Sequence, residues 1–142
     1  YEIGVRDWSS DVCSSDLRRF TKRISGMSDL SYLQRLKTLN LETLEARRLK
    51  TDLLTMFKIL NNLIAIHFHD FLSMSTVANT RGHRFKLIKP VCKSNIRLFS
   101  FSCRRIDCWN SLPYHVIYCE SIYSFKSRLN SLDLTKYLFL SF

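Results

Sequence analysis

Two histidines and an aspartate sit together in His67-Phe68-His69-Asp70, and imidazole nitrogens with a carboxylate are donors that zinc accepts. Zinc needs further ligands brought close, and the cysteines do not provide them by spacing. Cys103 and Cys108 are separated by four residues, Cys92 and Cys119 stand alone, and no C-x-x-C pair or Cys-Cys-His-Cys knuckle occurs. The expectation is a loop or short helix with solvated or hydrogen-bonded histidines, buried reduced cysteines, no metal and no cofactor. Nucleophilic catalysis by a cysteine with His67, His83 or His115 has no supporting local signature. Two-metal phosphoryl transfer needs convergent carboxylates, and no two of Asp29, Asp52, Asp70, Asp107 and Asp133 are adjacent. The chain is therefore not expected to be an enzyme on its own.

Phosphate binding is the chemistry with more material behind it. From Arg81 to Arg105 there are eight basic residues, Arg81, Arg84, Lys86, Lys89, Lys93, Arg97, Arg104 and Arg105, and no acid. Such a stripe releases counterions from a nucleic-acid backbone, and Phe85 is placed to stack on an unpaired base. A solvated edge strand kept basic against aggregation gives the same composition. The candidate contacts to an RNA or DNA backbone are Arg81, Arg84, Lys86, Lys89, Lys93 and Arg97.

The elements that must position these residues read as mainly α. Leu30, Leu33 and Leu36 recur among Gln34, Arg35 and Lys37, which predicts a short helix over 30–40 with Asp29 or Ser31 as its cap. The strongest period runs over 41–64, where Leu49, Leu53, Met56, Phe57, Leu60 and Ile64 recur at steps of three and four, with Glu42, Glu45, Arg48 and Asp52 between them. This should be the longest helix, with Asn61 and Asn62 weakening its last turns. Basic and apolar residues roughly alternate from Arg84 to Pro90, which predicts an extended arm or short β-hairpin around 83–90. A helix over about 99–110 stops before Pro113, and another, capped by Ser121, carries Ile122, Phe125 and Leu129 inward with Lys126 and Arg128 outward. The apolar tail, 134–142, is expected to dock on them. Leu49, Leu53, Phe57, Leu60, Trp109, Leu112, Pro113 and Phe125 are the expected structural anchors, Trp109 being core rather than a base platform.

At 142 residues and +10 net charge, the chain has material for one small domain and favours polyanionic partners. No apolar run approaches the roughly 18 residues that argue for a spanning helix, so no membrane partner is expected. The cysteine usage and the lack of a signal-peptide pattern imply an intracellular protein, in nucleus or cytoplasm. The start at Tyr1 makes a fragment the working expectation.

Composition shifts at Arg18. Before it stand one base, Arg6, and four acids, Glu2, Asp7, Asp11 and Asp16, a net −3 that leaves the remaining residues at +13. The run Asp7-Trp8-Ser9-Ser10-Asp11-Val12-Cys13-Ser14-Ser15-Asp16-Leu17 resembles one translated frame of a common sequencing-library adapter, and Tyr1-Glu2-Ile3 fits the same oligonucleotide upstream. Residues 1–17 are therefore expected to be a disordered artefact, and 18–142 a single domain.

From Arg18 onward five segments in order are similar to the region that follows the polymerase core in non-LTR retrotransposon reverse transcriptases. They are Arg18-Arg19-Phe20-Thr21-Lys22-Arg23-Ile24 with Gly26 to Tyr32; Leu39-Asn40-Leu41-Glu42-Thr43-Leu44-Glu45-Ala46-Arg47-Arg48-Leu49 with Phe57-Lys58-Ile59-Leu60-Asn61; Thr80-Arg81-Gly82-His83 with Lys86-Leu87 and Lys89-Pro90; Trp109-Asn110-Ser111-Leu112-Pro113; and Ser121-Ile122-Tyr123-Ser124-Phe125-Lys126-Ser127-Arg128-Leu129. Leu33-Gln34, where family members often have acids, and Tyr123 with the ending Tyr137-Leu138-Phe139-Leu140 depart from the pattern and imply a degenerate copy or an altered frame at the very end. The resemblance implies a thumb-adjacent piece of an RNA-directed DNA polymerase that also carries an endonuclease, whose metal-bound Tyr/Phe-x-Asp-Asp aspartates and magnesium belong to the polymerase portion missing here. Template RNA or target DNA binding is the activity it leaves open. The alternatives are a nonfunctional pseudogene fragment and a captured host adaptor or nucleic-acid-binding protein.

Overall fold

A computed structural model describes residues 8–76 and 83–138. Its described residues are mainly helical, with one isolated antiparallel bridge and no sheet. The chain divides into two compact units, Tyr1–Arg47 and Arg48–Phe142, where the sequence drew one domain over 18–142. The physical reason is where the apolar material lies: the buried cluster that forms the main core begins at Leu49.

The first unit is organised around a buried arginine. Helix α1, Trp8–Lys22, runs through the adapter-like stretch, so residues 8–17 are helical where disorder was expected; residues 1–7 lie outside the described residues. Composition alone missed the order of charge. Arg19 and Lys22 stand in the last turn of α1, where a cation suits the helix dipole. Helix α2, Tyr32–Thr38, is shorter than the predicted 30–40 because Ser31 caps it: its Oγ accepts from the Gln34 amide while the Gln34 carboxamide accepts from the Ser31 amide. Arg35 of α2 is buried, not on the polar face its spacing implied. Its Nε donates to Thr21 Oγ1 at 3.1 Å, and its terminal nitrogens donate to the Leu30 and Arg18 carbonyls. A buried guanidinium needs such acceptors, since each donor left dry would cost free energy.

Helix α3, Leu44–Leu60, is the longest among the described residues and is trimmed at both ends relative to 41–64. Thr43 starts it, its Oγ1 accepting from the Ala46 amide at 3.2 Å. Asn62 ends it in the left-handed region, φ 53°, where the Leu63 amide reaches back to the Lys58 carbonyl at 2.8 Å. Within the second unit Leu49, Leu53, Met56, Phe57 and Ile59 are buried, with Leu60 and Ile64 half-buried against them. The Phe57 ring stacks on Phe125 at 4.4 Å, and Phe125 lies 6.1 Å from Trp109.

Six short helices and one of three turns complete this unit: α4 (Phe68–Phe71), α5 (Asn95–Leu98), α6 (Phe101–Arg104), α7 (Ile106–Ser111), α8 (Tyr114–Ile117), α9 (Ile122–Ser131) and α10 (Thr135–Leu138). The helix predicted over 99–110 is thus two, broken at Arg105. In an unbroken helix, adjacent side chains point about 100° apart. The break lets Arg104 and Arg105 converge on Asp52 of α3, which is buried rather than solvated. Ser121 caps α9, accepting from the Ser124 amide, with Phe125 and Leu129 buried and Lys126 and Arg128 exposed. Leu134 and Tyr137 are buried, so the described part of the tail packs into the core. Residues 139–142 lie outside the described residues.

The predicted extended arm is present. Met74 and Leu87 form the antiparallel bridge, with the Ser75 amide donating to the Lys86 carbonyl and the Ile88 amide to the Ser73 carbonyl, both at 2.8 Å. Leu87 is buried and Phe85 half-buried, while Arg84 and Ile88 face solvent, which is the period of two that the sequence carried.

Candidate nucleic-acid interface

Two consecutive residues of α7 fasten the arm to the core. Trp109 Nε1 donates to the Phe85 carbonyl at 2.8 Å. Asn110 takes the place of a neighbouring strand: its Oδ1 accepts from the Leu87 amide and its Nδ2 donates to the Leu87 carbonyl, each at 2.8 Å. His83 adds a third tie, Nε2 lying 3.1 Å from the Trp109 carbonyl. Burial holds the His83 imidazole below its ordinary pKa, with the nearby Lys86 charge acting the same way and the bond to Trp109 opposing both. The ring is thus held neutral, donating from Nε2, with no partner for Nδ1 among the described residues. These ties are the physical content of the Trp-Asn string. The spacing gave Trp109 a core role, but nothing local pointed to Asn110 as the partner of a backbone 23 residues away.

The basic residues divide into distinct groups. Arg84, Lys93 and Arg97 are exposed, Lys86 is half-buried, and Arg81 lies outside the described residues. Lys89 is exposed but pairs with Asp107. Arg104 and Arg105 are engaged by Asp52: Arg104 Nε and a terminal nitrogen approach its two oxygens at 3.1 and 2.9 Å, and Arg105 Nε lies at 2.9 Å. The uninterrupted stripe expected from the sequence is therefore interrupted, because Asp52 and Asp107, which stand before and after the run in the sequence, fold onto it.

Beside the exposed cations lies an aromatic layer. The Arg84 guanidinium sits 5.5 Å from both the Phe85 and Tyr118 ring centres, and Tyr118 stacks on Tyr114 at 3.9 Å. Phe85 is half-buried and tilted against Tyr118 at 5.5 Å, whereas Tyr114 is exposed. A cleft of about 300 Å³ opens here, lined by Phe57, Leu60, Asn61, Phe85 and Tyr118 among others, with Glu120 contributing an acid. Tyr114 and Tyr118 were not foreseen from the sequence; their signal was a tyrosine pair at helical spacing.

Of the expected anchors, Leu49, Leu53, Phe57, Trp109, Leu112 and Phe125 are buried, Leu60 is half-buried, and Pro113 precedes α8 as its half-buried cap residue. Among the described residues no group of three or more histidines, cysteines or acids is arranged to hold a metal ion, and no helix is long and apolar enough to cross a membrane. His67 and His69 are exposed, with the His69 ring edge-on to Phe68 at 5.0 Å. Comparison of the chain with protein-family models, with curated proteins and with solved structures finds no match.

Proposed function

We propose that residues 18–142 are a non-catalytic piece of the post-polymerase region of a non-LTR retrotransposon reverse transcriptase, and that the arm and the segment after it bind single-stranded nucleic acid in nucleus or cytoplasm. The observation that carries the binding role is the clamping of a basic arm by Trp109 and Asn110. A clamped backbone presents Arg84 with less ordering cost on binding, and Lys93 and Arg97 add exposed charge downstream. Tyr114 is the exposed ring on which a base would stack. The parentage rests on the five ordered segments, and the adapter origin of residues 1–17 on the match of residues 1–3 and 7–17 to a translated frame of that oligonucleotide.

Reversing Arg84, Lys93 and Arg97 to glutamate tests the binding role. Titration with single-stranded RNA over a range of salt should show weaker binding and a salt slope reduced by about 2, at roughly 0.7 per lost phosphate contact. Unchanged affinity would remove these residues from the interface. The parentage has its own test in uninterrupted genomic DNA upstream of the Arg18 codon. An in-frame Tyr/Phe-x-Asp-Asp segment there supports it, and recovery of the first seventeen codons there would sink the adapter origin.

A second reading, a remnant that does not act alone, draws on exposed apolar side chains in each unit. Phe20 and Leu33 in the first and Val91 and Ile96 in the second lie open to solvent, as surfaces that packed on a missing polymerase portion would.

A further inference from the structure

Cys92 and Cys103, eleven residues apart and unrelated by any motif, have their sulfurs 3.2 Å apart. Cys92 is half-buried in the irregular stretch before α5, and Cys103 is fully buried in α6. We propose that these two thiols form a reversible dithiol–disulfide pair, oxidised by a low-molecular-weight disulfide such as oxidised glutathione.

A disulfide bond is about 2.05 Å long, so the sulfurs must close by roughly 1.2 Å, a displacement that side-chain rotation of Cys92 in its irregular stretch can supply. The accessible Cys92 loses its proton to solvent and its thiolate attacks the small disulfide, giving a mixed disulfide and one small thiolate. Cys103, deprotonated in turn, attacks the Cys92 sulfur and expels the second half of the reagent as thiolate. One bond forms between the cysteines, the reagent's own sulfur–sulfur bond is lost, and the reagent takes up the two electrons.

Access sets this order, since Cys103 is fully buried and Cys92 half-buried, and acidity favours only the second attack. Burial pushes the Cys103 thiol up, but hydrogen bonds from Cys92, Ser100 and Ser102 and the charge of Arg97 outweigh it and leave Cys103 below the ordinary thiol value. The hydrogen bond to Cys103, with burial, raises Cys92, against which the Arg97 and Lys89 charges act. Cys108 makes the contrast: burial pushes it up to about 12, which keeps it a thiol. The pairing does not depend on the nucleic-acid role.

The test is peptide mapping of the whole chain by mass spectrometry after incubation with oxidised glutathione, without reduction. The expected product is a Cys92–Cys103 cross-link that dithiothreitol reverses, with Cys108 still alkylatable after unfolding. In Cys103→Ala the reaction should stop at a glutathione adduct on Cys92. Cys92→Ser, which alters a half-buried site, should leave Cys103 unmodified. A wild-type chain that keeps the adduct on Cys92 without cross-linking, or that does not react, overturns the proposal.

Discussion

Asp52 shows how much one side chain decides in the second unit. It accepts from two arginines that neighbour each other in sequence and sit more than fifty residues away, Arg104 at the end of α6 and Arg105 at the break before α7. Removing its charge takes this carboxylate away from the largely buried Arg105 guanidinium. Asp52→Asn should therefore destabilise this unit by about 3 kcal/mol, the cost of breaking a buried pair on one side, read as a lower urea midpoint at unchanged slope. A substitution within about 0.5 kcal/mol of wild type would mean that the arginines find other acceptors. Neither Asp52 nor Arg35 was legible as a buried residue. Sequence spacing assigns charged side chains to the outer face, and the acceptors that make burial tolerable come from other elements.

Elements were legible to the extent that their signals are local. The apolar steps of α3, the Ser121 cap of α9 and the alternation of the arm all act over a few residues, and each element lies where its pattern places it. The predicted 99–110 helix failed because its interruption answers to Asp52, on another helix. The end of α3 is local again: Asn62 supplies a left-handed residue that lets the Leu63 amide close on Lys58. Asn62→Gly should hold or slightly raise the melting temperature. Asn62→Val should cost roughly 1–2 kcal/mol, because a β-branched side chain resists positive φ. Equal melting temperatures for the two variants would contradict this account of the helix end.

At the scale of the whole chain, the apolar cluster from Leu49 to Tyr137 lies entirely within Arg48–Phe142. A chain comprising residues 48–142 should accordingly unfold as one cooperative transition by circular dichroism, with coincident far- and near-ultraviolet melts. A broad, probe-dependent melt would mean that the core needs the rest of the chain. The division at Arg47 was not legible in the sequence, since helical periodicity continues without a break from Leu44 onward and only the distribution of buried contacts separates the units. The clamp on the arm has a kinetic counterpart. Because both backbone groups of Leu87 are held by a side chain of α7, its amide cannot exchange with deuterated solvent by local fraying of the arm. Exchange waits until Asn110 lets go, so the clock for this one proton, in a segment with a single bridge, is set by the opening of a helix.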